Sequence, residues 1–244
     1  MQQHSFWFYV VAFFAIILLR YLAMAGFAHW LLYHRQPTTI SVLKDIQLSV
    51  LSTGVFALAT AVIMTLDDKG MTKLHGRMDA ENWWVLPLSY LAVLVLQDAY
   101  FYATHRLFHH PRLFAWFHQG HHRSRQPTPW TSFAFDPLEA VVQAMFLIGV
   151  VMLIPLHFIT LLAVLTTMTV WAVVNHVGLE VLPLHFPHHW LGRWLIGPAH
   201  HSIHHRRYGK HFGLYFTFWD RVFGSEDPAY ADALQPATVV RPRA

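Results

Sequence analysis

The stretch WWVLPLSYLAVLVLQDAYFYATHRLFHH, residues Trp83 to His110, decides how the whole chain is read. From Trp83 to Thr104 it is apolar apart from Asp98, and as a helix it is long enough to cross ~30 Å of hydrocarbon. It then places His105 and His109 four residues apart, with His110 directly after. Residues i and i+4 lie about 40° apart around a helix axis, so two imidazoles leave the membrane boundary in one direction. His110, at i+5, points about 140° away from His105 and is the weaker candidate ligand. Asp98 at i−7 and Tyr102 at i−3 from His105 share the face that leads to this box.

Comparable runs flank this one. Phe6 to Tyr33 is apolar apart from Arg20, and Ile46 to Leu66 carries no charge. Pro137 to Ile154 and Leu156 to Val174 are divided by Pro155, which predicts a tight helical hairpin or one pair of closely linked spans. Side chains are 55% hydrophobic and 12% charged, about half the charged share of an ordinary soluble domain. The expected fold class is all-α: a multi-pass transmembrane bundle of about four to five membrane helices with a His-rich cytoplasmic helical cap. Residues 1–82 are expected to supply N-terminal transmembrane helices and an outer loop, 83–227 the catalytic region, and 228–244 a loosely ordered tail. Ala23 to Gly26 imitates a signal cleavage site. However, no Lys or Arg precedes the run and it continues to Leu32, so a membrane helix is expected instead. Arg20 reads as a snorkelling or paired charge.

Charge orients the bundle. With the amino terminus outside, the segments on the cytoplasmic side hold 13 Lys and Arg against 3 outside, the bias of cytoplasmic loops. Both His-rich regions then face the cytoplasm, and a bacterial inner membrane is the expected location. The net charge of +4 sits beside apolar segments rather than in a stripe or tail, so no nucleic-acid partner is expected. The chain has no cysteine, which excludes thiolate metal sites and iron–sulfur clusters built on Cys.

Of 20 histidines, 16 lie between His105 and His211. After His105 and His109 come His118, His121 and His122, then His176 at the end of a span, then His201, His204 and His205. These are too many for one tetrahedral ion, so two ions are the natural count. Imidazole suits Zn, Cu, Fe and Ni alike, and the Glu-x-x-His pairs of carboxylate-bridged di-iron bundles do not occur. Asp98, Asp136, Glu139, Glu180 and Asp220 flank the boxes and are available to offset metal charge or orient rings. His4, His29, His34, His75 and His157 read as ordinary residues. His185, His188, His189, His200 and His211 stay open.

The sequence from Asp98 to His109, then Pro127 to Trp130, Asp136 to Glu139, Asn175 to Gly178, Pro198 to His205 and Phe212 to Gly224 resembles, in that order, the fatty acid hydroxylase and sterol desaturase superfamily. The likeness covers a little over half the chain. It implies two iron ions, dioxygen as co-substrate, and hydroxylation or desaturation of sterols, fatty acyl chains or ether lipids. Carried over by position, the ligands are His105, His109, His118, His121, His122, His176, His201, His204 and His205, with Asp98, Tyr102 and Glu180 as catalytic candidates. Some relatives carry a second His four residues beyond the position of His176, where this chain has Glu180; a tenth ligand is therefore Glu180, His185 or His211, or is absent.

A membrane lipid is the expected substrate. The chain has no dinucleotide fingerprint and no room for a fused haem domain, so an external electron donor, ferredoxin- or cytochrome-type with its reductase, is expected as a partner. Arg106, Arg123, Arg125, Arg206, Arg207 and Lys210 offer it a basic surface. The alternatives are a His-rich metal transporter, which His176 and Glu180 at helical spacing would suit, and a structural zinc-binding membrane protein. Transport sites lie near the bilayer midplane, whereas these boxes follow the ends of spans.

Overall fold

The computed structural model describes residues 4–33, 40–77, 83–178, 189–228 and 230. The helices in chain order are α1 (Phe6–Tyr33), α2 (Ile40–Asp68), α3 (Val85–Phe108), α4 (Pro111–Phe117), α5 (Pro137–Leu153), α6 (Phe158–Asn175), α7 (Pro198–Arg206) and α8 (Phe218–Val222). Pro111, Pro137 and Pro198 each open a helix, where the missing N–H has no intrahelical partner to lose.

Among the described residues four helices, α1, α2, α3 and α6, are long and apolar enough to cross a membrane, with mean hydropathy of 2.2, 1.9, 1.4 and 1.9. The 17-residue α5 is shorter. Trp7, Leu19, Trp30, Leu51, Leu91 and Leu162 stand exposed on these helices, an outer surface suited to lipid rather than water. The helix contacts inside use small residues: Ala25, Ala57, Ala61 and Ala140 are fully buried and let backbones approach closely. The chain is thus a multi-pass integral membrane protein.

α2 starts six residues before the expected run, taking in Lys44 and Asp45. Asp45 is buried because the hydroxyls of Ser124 and Thr131 donate to its carboxylate at 2.7–2.9 Å. α5 and α6 also depart from a tight hairpin. They meet at one end around Val150, Leu156 and Val164, but α5 packs on α2 and α3 while α6 packs on α3 and α1. Toward the histidines, Ala144 and Leu147 of α5 and Met168 and Ala172 of α6 line a shared cavity. Each helix has better partners elsewhere than its neighbour in sequence.

The connection between α5 and α6 is tied to the one after α2. Strand β1 (Leu74–His75) pairs in parallel with β2 (Leu156–His157), and Lys73 Nζ donates to the Leu153 carbonyl at 2.9 Å. α3 and α6 both run from this end to the histidines, which places the ladder and the boxes at opposite ends of the bundle.

Candidate metal centre

α3 delivers His105 in its last turn and His109 as its C-cap. His110 serves as N-cap of α4, its Nδ1 accepting the Arg112 N–H at 3.3 Å, so it is turned to a capping task. His118 ends α4, and a 3-10 turn over His121–Arg123 follows. Gly120 makes that bend possible. Its N–H donates to Asp136 Oδ2 at 2.6 Å, and a Cβ there would collide with the same carboxylate. His176 caps α6, and α7 carries His201, His204 and His205.

These nine histidines come together as two groups. One holds His105, His109, His118, His122 and His204; the other holds His121, His176, His201 and His205. The boxes are interleaved. His118 and His122 join the first group while His121 joins the second; His201 and His205 join the second while His204 joins the first. On α7 the reason is periodicity: positions i and i+4 share a direction, while i+3 lies about 60° to the other side. The two groups touch, with the His122 and His205 ring centroids 4.6 Å apart. Apart from half-buried His109, all nine are buried.

The ring orientations indicate what the groups are for. Nδ1–H of His105, His121, His176 and His204 donates to the carbonyls of Phe212 (3.0 Å), Ala134 (3.2 Å), Ala172 (2.6 Å) and Lys210 (2.7 Å). His118 Nδ1–H donates to Glu139 Oε2 at 2.7 Å. Each of these rings, when neutral, therefore turns a bare Nε2 lone pair inward. The Nε2 atoms of His105 and His118 stand 2.9 Å apart with no proton left to share. Burial holds the pKa of His118, His121, His122, His201, His204 and His205 below the ordinary imidazole value, so protonation does not relieve the contact. A cation between the lone pairs does.

The donor set fits two metal ions. Within each group the ligand atoms lie within 4.8 Å of one another, a little beyond the ~4.2 Å diameter of a shell at ~2.1 Å, so small side-chain adjustments centre each set. His109 Nε2 is buried with no hydrogen-bond partner. Glu139, fully buried, sets its carboxyl group behind His118 at 2.7 Å, the place that carboxylates take behind metal-binding histidines.

The other expected site residues lie elsewhere. Asp98 Oδ1 accepts the backbone N–H groups of Leu214, Tyr215 and Phe216 at 2.7–3.2 Å, fastening to α3 the loop whose Phe212 carbonyl orients His105. The Tyr102 hydroxyl bonds Ser225 and accepts from Arg106, both at 2.9 Å, away from both groups. Glu180, His185 and His188 fall outside the described residues. His211 joins neither group: its Nε2 accepts the Asp227 N–H at 3.3 Å, and its ring packs with His200 and Tyr230. His157 caps α6.

A cavity lined mostly by apolar side chains, and open at its mouth, adjoins the groups, as ligand sites commonly are lined. Its lining residue Phe101 packs against His105, and Phe135 stacks over His121 with ring centroids 5.9 Å apart.

A family model described as fatty acid hydroxylase matches residues 90–225, more than half of the chain. Delta(7)-sterol 5(6)-desaturase ERG3B of Gibberella zeae is 29% identical over 193 residues, covering 79% of this chain and 58% of that protein. Lathosterol oxidase of Rattus norvegicus is 30% identical over 236 residues, 96% of this chain and 76% of its own length. The human lathosterol oxidase is 28% identical over the same shares. No solved structure matches.

Proposed function

Because the chain belongs to the fatty acid hydroxylase family, we propose that it is a membrane oxidoreductase that holds two iron ions and uses dioxygen to hydroxylate or desaturate a lipid such as a sterol, a fatty acyl chain or an ether lipid. The observation that carries this reading is the convergence of nine imidazoles into two touching groups beside an apolar cavity.

When bound, the iron pair supplies the oxidising power needed for an unactivated C–H bond. The protein's own part is positional. His105, His109, His118, His122 and His204 hold one ion, and His121, His176, His201 and His205 the other. Backbone carbonyls and Glu139 fix the ring tautomers. Asp98 acts through the 212–216 loop, Tyr102 braces the carboxy-terminal segment through Ser225, and Glu180 is the candidate for a further oxygen ligand. The cavity wall keeps water from the reacting carbon. Hydroxylation sends one oxygen atom to the product and one to water, while desaturation sends both to water. Either takes two electrons, which an external donor of ferredoxin or cytochrome type provides one at a time, and two protons, which come from water.

Residues 83–227 carry all nine ligands and form the catalytic region, residues 1–82 supply membrane helices that wall the cavity, and 228–244 form the tail. The His-rich end faces the cytoplasm in this reading, where Arg123, Arg125, Arg206 and Arg207 are exposed to meet an acidic donor.

Two measurements test the reading together. Purified protein should contain two irons per chain, and lipid extracts of expressing cells should show an oxygen-dependent gain of one oxygen or loss of two hydrogens. His121→Ala and His204→Ala, one from each group, should each abolish the mass change. One zinc per chain with no lipid product would overturn the proposal.

A further inference from the structure

The cavity is apolar apart from a few polar side chains, and each of those but one makes a side-chain hydrogen bond among the described residues. Gln97 Oε1 accepts the Tyr215 hydroxyl at 2.8 Å, and Gln143 Nε2 donates to Thr104 Oγ1 at 3.1 Å. The hydroxyls of Thr60, Ser132 and Thr169 donate to the carbonyls of Phe56, Pro129 and Leu165. Arg20 is the exception. It lines the cavity from near the middle of α1, and its Nε is buried with no hydrogen-bond partner among the described residues.

Neither ordinary explanation of a membrane arginine applies. Thirteen residues separate Arg20 from the nearer end of α1, ~20 Å of helix, which is beyond the reach of a snorkelling side chain. Among the described residues no carboxylate pairs with Arg20: Asp45 accepts from Ser124 and Thr131, Asp98 from the 214–216 backbone, and Glu139 Oε2 meets His118, while Glu139 Oε1 has no partner. A guanidinium at this depth without a counter-charge is costly, and such a group marks a ligand path by default.

We propose that the cavity takes a single-chain lipid whose polar end is an oxyanion, a carboxylate or a phosphate, held by the guanidinium of Arg20. Its hydrocarbon lies along the wall that includes Phe101 and Phe135, the rings packed on His105 and His121. The planar fork of Arg matches an oxyanion with paired, charge-assisted hydrogen bonds, and burial of both charges strengthens the pair. A neutral alcohol or sterol hydroxyl accepts a hydrogen bond but leaves the charge uncompensated. This inference rests on the di-iron reading for what happens to the bound lipid, but its charge preference can be measured separately.

The test is equilibrium binding of radiolabelled oleate, oleyl phosphate, oleyl alcohol and a neutral sterol to the iron-loaded protein in uncharged detergent. At least one anion should bind about tenfold or more tightly than oleyl alcohol, the scale of one charge-assisted pair; which anion is preferred identifies the head group. Arg20→Gln should erase that preference while keeping oleyl alcohol affinity, and Arg20→Lys should restore part of it, with two irons per chain in each. Equal binding of acid and alcohol, tighter binding of the sterol, or a preference that survives Arg20→Gln would overturn the inference and leave the di-iron reading intact. Should Arg20→Gln fail to accumulate, the comparison of lipids on the native chain still decides. Absence of iron from a protein that retains the anion preference would instead count against the proposed function alone.

Discussion

His118 keeps its Nδ1 proton on Glu139, a carboxylate with no solvent exposure. Glu139→Gln puts an amide there that can donate to the same nitrogen and favour the other tautomer, turning the inward lone pair into an N–H. Iron affinity should fall about 10- to 100-fold, measured by competition with a graded chelator; unchanged affinity would mean that packing alone orients the ring. His110→Ala should leave iron content untouched, because that ring caps α4; losing an iron would make it a ligand. The nine histidines that gather into the two groups were legible in the sequence through the spacing of the boxes and their resemblance to a known family. Their orienting partners were not. Four of the five identified are backbone carbonyls, at Ala134, Ala172, Lys210 and Phe212, which any residue could supply. Glu139 stood among several flanking acids with nothing local to single it out.

At the scale of elements, the loop after α7 is held to α3 by one carboxylate. Asp98→Ala strands three backbone N–H groups and should destabilise the protein by about 3 kcal/mol, with iron lost from the His105 group before the other. Thermal melting with metal analysis of partly depleted samples checks both parts. In the same loop, a Cβ at Gly213 would stand 2.6 Å from the Phe216 carbonyl oxygen, so Gly213→Ala should lower stability in the same direction. Hydropathy located the spans but erred where charge is answered across the fold. Lys44 and Asp45 interrupt an apolar run, yet α2 continues through them because Ser124 and Thr131, about 80 residues away, satisfy Asp45. Helical spacing aims His105 and His109 one way and both join one group, whereas α7 divides its three rings between two neighbouring groups.

For the whole molecule, the cavity between the splayed α5 and α6 lies beside the two histidine groups and is lined by none of their rings. Ala144 is buried and lines the cavity away from any ligand; Ala144→Phe should raise KM for the lipid severalfold while iron content stays at the native level, and a fall in iron would show that cavity and metal groups are not separable. The absence of cysteine makes sidedness directly measurable. Arg125→Cys should react with an impermeant thiol reagent only from the cytoplasmic face, and Lys69→Cys only from the opposite face; the reverse pattern would invert the bundle. The interleaving of the boxes also bears on biogenesis. The first group needs His204 and the second needs His205, and both draw on rings more than 80 residues earlier. The last of the four candidate spans among the described residues ends at Asn175, so a nascent chain threads these spans into the bilayer before either group has its full set of rings. Protein made in cells short of iron should therefore be found in the membrane with its spans in place and its histidine groups empty, and iron added afterwards should fill them.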